Sequence, residues 1–161
     1  MSKLIIVAGV SGSGKTTIGK LLAKKLNIPF KDADDYHPQA NVDKMKAGQA
    51  LNDADREPWL KILAQKLSEW DTNGGAVLAC SALKESYRQT LSTKSEVQWV
   101  FLDGTFEVLE RRLTARKNHF FKPILLRSQI DTLENANYGI HVSIDQTPEA
   151  ITEEVLQKLD S

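Results

Sequence analysis

The segment from Gly9 to Thr16 constrains the fold of this chain more than any other. It reads GVSGSGKT and matches the pattern Gly-x4-Gly-Lys-Ser/Thr at every specified position. A continuous apolar run over residues 3–8 precedes it, and apolar residues at helical spacing follow it to Leu26. Glycines let the backbone curl so that successive N–H groups point at an anion, and the positive end of the helix dipole adds to the attraction. The segment therefore predicts a phosphate-binding loop between a strand and a helix.

This loop is predicted to bind the phosphates of ATP. Lys15 can reach the β- and γ-phosphates, and the Thr16 hydroxyl can hold Mg²⁺. The residues predicted to contact ATP here are Gly9, Ser11, Gly12, Ser13, Gly14, Lys15, Thr16 and Thr17. The motif does not name the reaction, because kinases, GTPase switches and motor ATPases all use such loops.

Strand and helix patterns alternate along the rest of the chain. Further strands are predicted at residues 28–30, 76–80, 97–102 and 141–144. Helices are predicted at residues 15–26, 38–46, 55–70, 84–91, 106–116, 124–133 and 148–159. This alternation is typical of an α/β fold in which helices cover both faces of a parallel sheet. Ligands bind at the carboxyl ends of such strands, which selects the loops at residues 9–16, 32–37, 80–84, 103–105 and 145–148.

The composition suits one compact domain, predicted to span residues 1–161. Twenty-one basic residues balance 21 acidic ones, so nothing favours a nucleic-acid or membrane surface. The single cysteine, Cys80, allows no intrachain disulfide. No apolar stretch approaches the roughly 20 residues that span a bilayer. We expect a cytoplasmic protein.

An acidic segment follows the predicted second strand. Asp32, Asp34 and Asp35 place three carboxylates within four residues, and these repel one another unless a metal ion or donor lies among them. A kinase needs one carboxylate near the attacking hydroxyl and another near Mg²⁺ or its waters. The alternative is a solvated acidic turn that caps the helix at Pro38.

Three basic residues are candidates for holding an acidic acceptor. Arg56 lies in the first turn of a predicted helix, where a cation opposes the helix dipole, and this weakly favours anion binding. Lys84 and Arg88 are one helical turn apart, so both can face the cleft and hold a substrate carboxylate. A solvated helix face explains the second pair equally well.

A basic helix end and an aromatic loop predict a lid over residues 116–128. Arg112 and Arg116 share a helix face and can stabilise the negative charge that develops during phosphoryl transfer. The following segment, NHFFKP, can close over ATP and exclude water. His119 within it is interpreted as a hydrogen-bonding lid residue.

Several blocks together resemble the gluconokinase family, in the wider group of shikimate and nucleoside-monophosphate kinases. These blocks are GVSGSGKTT, DADDYHPQANVDKMKAGQALNDADREPWL, ACSALKESYR, RLTARKNHFF and LLRSQIDTLE, in order over nearly the whole chain. The resemblance implies a three-layer P-loop kinase fold with strand order 2-3-1-4-5 and a mobile lid. It implies transfer of the ATP γ-phosphoryl group to the 6-hydroxyl of D-gluconate, and it implies a homodimer.

The resemblance also implies residue roles. Asp34 corresponds to the carboxylate beside the acceptor hydroxyl and, with Lys15 and Arg116, forms the implied catalytic set. Thr16 and, through water, Asp32 correspond to the Mg²⁺ ligands. Arg112 would stack on adenine. The acceptor would bind within residues 35–72 and the 80–88 loop, and its implied ligands are Asp34, His37, Arg56, Lys84 and Arg88.

Alternatives remain open at this point. A kinase for shikimate or another sugar acid is one, although Cys80-Ser81-Ala82 stands where shikimate kinases usually carry three glycines. A regulatory ATPase is another. Asp103 resembles a Walker B aspartate but is interpreted as structural, because this kinase group places its metal-side acid after the second strand.

Overall fold

The structure, a computed structural model, describes residues 3–10, 12–115 and 123–159. Five parallel strands form one sheet in the order β2-β3-β1-β4-β5. The strands are β1 (Lys3–Ala8), β2 (Phe30–Asp32), β3 (Gly75–Ala79), β4 (Gln98–Asp103) and β5 (Ile140–Ser143). The predicted α/β class and strand order are confirmed.

Seven α-helices and one short 3₁₀ helix, Ala33–Tyr36, connect these strands within the described residues. The α-helices are α1 (Lys15–Leu26), α2 (Gln39–Lys46), α3 (Asp53–Thr72), α4 (Glu85–Leu91), α5 (Phe106–Ala115), α6 (Pro123–Thr132) and α7 (Pro148–Leu159). Among the described residues, none of these helices is long and apolar enough to cross a membrane.

The centre of the sheet carries the apolar runs that the sequence predicts. Residues 4–8 of β1 and all of β3 are buried, because helices cover both faces of a parallel sheet. At Gly75 the backbones of β1 and β3 approach so closely that a Cβ atom would lie 2.0 Å from the Lys3 carbonyl oxygen. The sheet is thus a rigid platform for the loops at its carboxyl end.

Strand β2 begins two residues later than the sequence predicts. Pro29 has no N–H to donate, and its carbonyl oxygen accepts from the Val77 amide at 2.9 Å just outside the strand. The later start places Asp32 in the strand, where it pairs with Ala79 of β3. This register carries the acidic segment to the edge where the phosphate loop lies.

Helix α3 begins two residues earlier than predicted because of a capping box. The Asn52 side chain accepts from the Asp55 amide at 2.8 Å, and the Asp55 carboxylate accepts from the Asn52 amide at 2.9 Å. Asp55 also pairs with Lys44 of α2 at 2.6 Å. The cap therefore fixes the start of α3 and ties it to α2.

Candidate active site

The phosphate loop has the curled backbone that its glycines predict. Gly12 and Gly14 have φ angles of 84° and 95°, which other residues rarely adopt. Helix α1 begins directly after Gly14. The Lys15 ammonium donates to the carbonyl oxygens of Gly9 at 2.9 Å and Val10 at 3.1 Å. The loop is thus a preformed anion cradle whose lysine bonds to the loop itself in this state, while Ser11 lies outside the described residues.

A cavity of about 450 Å³ opens beside this loop. The loop and α1 contribute Gly12, Gly14, Lys15, Thr16 and Thr17 to its lining. The opposite side comes from α2, the start of α3, the end of β3 and α6, through residues that include Met45, Arg56, Trp59, Ser81, Ser128 and Gln129. The cavity is large enough for a small acceptor next to the bound phosphates.

Asp32 lies beside Thr16 at the base of the cavity. Its Oδ2 is 3.5 Å from the Thr16 hydroxyl oxygen, and its Oδ1 accepts from the Asp34 amide at 3.0 Å. The two residues predicted to bind Mg²⁺ are therefore brought together. A hydroxyl and a carboxylate are the oxygen ligands that suit this ion, which usually keeps several waters.

Asp34 projects into the cavity with 80% of its side chain accessible. Protein atoms nevertheless surround the cleft, and the resulting desolvation raises the pKa of this carboxyl above its usual value. The charge of Asp32 raises the pKa further, while Lys15 opposes the shift. A basic carboxylate that faces the phosphate loop across open space is suited to accepting a proton from an attacking hydroxyl.

His37 is held rigidly at the wall of the cavity. Its side chain is 3% exposed, and its ring stacks on Trp59 with the ring centroids 4.1 Å apart. Trp59 is itself fixed by donating from Nε1 to the Ala33 carbonyl oxygen at 2.8 Å. Burial, aided by the charge of Arg56 and opposed by Asp32, lowers the pKa of His37 to about 4. The imidazole is therefore neutral at physiological pH.

This buried histidine predicts a pH-dependent stability difference between the protein and a His37→Gln variant. The unfolded chain takes up the proton near pH 6.5 and the folded chain only near pH 4, so the native protein loses stability as the pH falls through this window. The His37→Gln variant lacks this pH-dependent contribution to stability. Urea unfolding between pH 7.5 and 4 should show the difference in free energy of unfolding changing by up to about 1.4 kcal/mol per pH unit. If the free energies of unfolding of the two proteins changed with pH in parallel, His37 could not be a neutral, buried imidazole in the folded protein.

Arg56 reaches the cavity from the start of α3. Its Nη1 donates to the Leu51 carbonyl oxygen at 2.6 Å and to the Tyr87 hydroxyl at 3.3 Å. The Tyr87 hydroxyl in turn donates to Asp53. These contacts hold the guanidinium at the cavity wall.

Lys84 and Arg88 do not form a basic pair that faces the cavity. Lys84 precedes α4 and binds both carboxylate oxygens of Asp53, at 3.0 and 3.1 Å. Arg88 is 2% exposed, and its guanidinium donates to three backbone carbonyl oxygens, those of Ala82, Leu83 and Glu134. Neither residue lines the cavity. Lys84 is extended at the N-cap of α4, so the two residues do not share a helix face. Asp53 binds the Lys84 ammonium, and the backbone carbonyl oxygens and Glu85 bind the Arg88 guanidinium.

On the nucleotide side, Arg112 lies over the phosphate loop. Its Nη2 donates to the Ile144 carbonyl oxygen at 2.7 Å, and its Nη1 lies 3.9 Å from the place a Cβ atom on Gly14 would take. Arg116 and His119 lie outside the described residues. Of the predicted lid, residues 123–128 form the start of α6, which brings Ser128 to the cavity.

Asp103 does not face the phosphate loop as a metal ligand would. Its Oδ2 bonds to the His141 Nδ1 at 3.1 Å, and the His141 ring stacks on Phe101 at 4.8 Å. This arrangement agrees with a structural role at the β4–β5 edge.

Sequence reasoning missed several residues of the site. Ser128 and Gln129 are polar residues on predicted helices, and only the tertiary fold brings them to the cavity wall. Asn41 does not line the cavity itself, but its side chain contacts His37, which does. Trp59 is a core residue whose ring also supports His37. His37 lies in extended backbone before α2, so helical spacing gave no signal for its contact with Asn41.

An anion-binding loop that faces a basic carboxylate across a cavity is arranged to move a phosphoryl group between two small molecules. The strand order and the position of the acids after β2 place the chain among the P-loop kinases. Comparisons with known proteins narrow this class. Residues 11–160 match the family model described as shikimate kinase.

Relatives that match over nearly the whole chain identify the family more specifically. The chain is 44% identical to a probable gluconokinase of Xenopus tropicalis, over 98% of this chain and 93% of that protein. It is 39% identical to the thermoresistant gluconokinase of Escherichia coli, over 96% and 94%. Among solved structures, a gluconokinase from Sinorhizobium meliloti is 37% identical with a TM-score of 0.90, covering 98% of this chain and 91% of that one. The chain therefore belongs to the gluconokinase family, within the shikimate-kinase-like P-loop kinases.

Proposed function

We propose that this protein transfers the γ-phosphoryl group of ATP to the 6-hydroxyl of D-gluconate, giving 6-phospho-D-gluconate and ADP. The observation that carries the proposal is the Asp34 carboxylate, which faces the phosphate loop across an acceptor-sized cavity in a chain that matches gluconokinases over nearly its full length. Mg²⁺-bound ATP supplies the phosphoryl group.

The described residues fit a nucleotide and its metal ion. Lys15 is able to exchange the loop carbonyl oxygens for phosphate oxygens, since its ammonium lies at the mouth of the cradle. Thr16 and Asp32, whose oxygens lie 3.5 Å apart, would hold Mg²⁺ directly and through water. Arg112 would pack against the nucleotide above Gly14. Arg116 keeps its proposed role on the transferring phosphoryl group.

On the acceptor side, Asp34 orients the attacking hydroxyl and takes its proton as transfer proceeds. Arg56, held toward the cavity by Leu51 and Tyr87, binds the gluconate carboxylate. Lys84 binds the gluconate carboxylate together with Arg56 only if its ion pair with Asp53 breaks. Arg88 is not retained as a ligand, because its donors are taken by backbone carbonyl oxygens. Residues 35–72 thus form the proposed acceptor segment.

Comparison of acceptors tests this function. With MgATP, D-gluconate should stimulate ADP formation strongly over the rate without acceptor, and ³¹P NMR should identify a phosphate ester at the terminal carbon. Shikimate and other sugar acids under the same conditions should give much lower kcat/KM. ATP turnover that is indifferent to gluconate would reject the proposal and favour a regulatory ATPase. Sedimentation of the same preparation tests the implied homodimer.

A further inference from the structure

The His37 ring has a defined orientation because both of its nitrogens face named partners. Nδ1 lies 3.2 Å from the Asn41 side-chain nitrogen, and Nε2 lies 3.7 Å from Oδ1 of Asp34. The stacked Trp59 ring prevents the imidazole from tilting away. Since His37 and Asn41 are both shielded from solvent, water does not compete for these positions.

The Asn41 amide determines which nitrogen of His37 carries the proton. Asn41 Nδ2 donates to the Asp55 carbonyl oxygen at 2.8 Å, and a carbonyl oxygen can only accept. This contact fixes the NH₂ end of the amide on the His37 side. Its second hydrogen then points at His37 Nδ1, which must accept and carry no proton. The neutral ring therefore has its hydrogen on Nε2, the nitrogen that faces Asp34.

Two helices anchor this arrangement. Asn41 belongs to α2, while Asp55 belongs to the capping box of α3 and also pairs with Lys44. The charged groups around the ring are Asp34 and Asp32 from the acidic segment and Arg56 from α3. The Asn41 amide thus sits at a point that the folding of both helices defines.

We propose that Asn41 is a positioning residue that holds His37 as the Nε2–H tautomer, so that this N–H donates to Asp34 and aims its carboxylate at the acceptor hydroxyl. The contact of 3.7 Å is long in this state, and such contacts shorten when a substrate closes the site. A neutral donor orients a carboxylate without adding the positive charge that would weaken it as a base. The inference rests on the proposed phosphoryl transfer only for the role of Asp34.

Nitrogen NMR tests the tautomer without any substrate. In uniformly ¹⁵N-labelled protein at pH 7.5, two-bond ¹H–¹⁵N spectra should show His37 as the Nε2–H form, with the signal assigned by its loss in His37→Gln. Asn41→Asp replaces the donor with an acceptor of the same shape and should convert the ring to the Nδ1–H form or the cation. Asn41→Ala, which adds no charge, should give a mixture of tautomers. An Nδ1–H ring in the unaltered protein would overturn the inference.

Kinetics test the positioning role. Asn41→Asp should lower kcat for gluconate by about tenfold to a hundredfold, as expected for a misplaced catalytic group, while KM for gluconate stays within about twofold. His37→Gln, which keeps a donor near the Nε2 position, should retain more activity than His37→Asn. Gln157→Glu makes the same amide-to-carboxylate change at an exposed position of α7, outside the acceptor segment, and serves as the matched control.

The outcomes separate this inference from the proposed function. Unchanged kcat in Asn41→Asp, with gluconate still phosphorylated by the unaltered protein, would reject the positioning role alone. A raised KM with unchanged kcat would assign His37 to substrate binding instead and would equally reject it. No phosphorylation of gluconate by the unaltered protein would reject the proposed function, while the NMR result would still decide the tautomer.

Discussion

Replacement of Asp34 by asparagine should lower kcat for gluconate phosphorylation by about 10²- to 10⁴-fold, the usual contribution of a general base. The amide keeps the shape of the side chain but cannot take the proton of the attacking hydroxyl. The affinity for ATP should stay within a few-fold, because Lys15 and the loop glycines bind the phosphates and Asp34 lies on the acceptor side of the cavity. Initial rates and equilibrium titration of the nucleotide measure the two quantities separately.

Stability measurements show whether Asp34→Asn is still folded, so that a loss of activity cannot be due to unfolding. The pKa of Asp34 is raised by desolvation, so its folded-state pKa exceeds the unfolded value. Such a group contributes stability at low pH and loses it as the pH rises through the folded pKa. At pH 7 the charged carboxylate therefore costs stability, and Asp34→Asn should unfold at the same temperature or higher. Asp131→Asn, on an exposed acid of α6 that does not line the cavity, is the matched control and should keep its kcat. An Asp34→Asn enzyme with near-native kcat would refute the assignment.

The features that the sequence predicted correctly depend on short-range physics. The phosphate loop is one continuous segment whose glycine and lysine positions have only one common use. The buried runs of β1 and β3 are apolar throughout because both faces are covered, and this composition is visible without any tertiary contact. Likewise, the acids after β2 follow from the rule that ligands bind at the carboxyl ends of parallel strands. In these cases local sequence and global fold agree.

The features that could not be predicted from the sequence concern side chains whose partners come from distant segments. The spacing of Lys84 allows either a side chain that faces the cleft or one that faces solvent, and in the structure its ammonium pairs with Asp53, 31 residues away. The Asn41 side chain is positioned by the Asp55 carbonyl oxygen, which no residue pattern reveals. Helical spacing defines which residues share a face. It cannot define which protein group that face meets, and this is why the partners of Lys84 and Asn41 could not be predicted from the sequence.

Arg88 illustrates this limit most clearly. Its guanidinium donates to the carbonyl oxygens of Ala82 at 3.0 Å, Leu83 at 3.2 Å and Glu134 at 2.6 Å. It also lies 5.0 Å from the centre of the Phe101 ring. Ala82 has a φ of 43°, which is unfavourable for a residue with a side chain. The arginine therefore holds a strained turn after β3 against the segment that follows α6.

Replacement of Arg88 by methionine should lower the free energy of unfolding by about 2–4 kcal/mol, because it removes several hydrogen bonds between a buried charged group and backbone carbonyl oxygens. Methionine fills much of the volume but removes the arginine donor from the buried Ala82 carbonyl oxygen and from the half-buried Glu134 carbonyl oxygen. The Leu83 carbonyl oxygen loses one of two donors, since it also accepts from the Glu134 amide. Urea unfolding at pH 7.5 measures the loss. The free energy of unfolding of Arg88→Lys should lie between the values for the unaltered protein and for Arg88→Met, because a single ammonium cannot reach all three carbonyl oxygens.

A matched control separates this structural role from substrate binding. Arg111→Met removes an exposed arginine from α5 and should change the free energy of unfolding by less than about 0.5 kcal/mol. If Arg88 held the gluconate carboxylate instead, Arg88→Met would raise KM for gluconate and leave unfolding nearly unchanged. The opposite pattern is expected, since the donors of Arg88 are aimed at backbone oxygens that join the loop after β3 to the chain after α6. Those two segments lead to Ser81 and Gln129 on the cavity wall, so the folded enzyme that survives should also show a lower kcat.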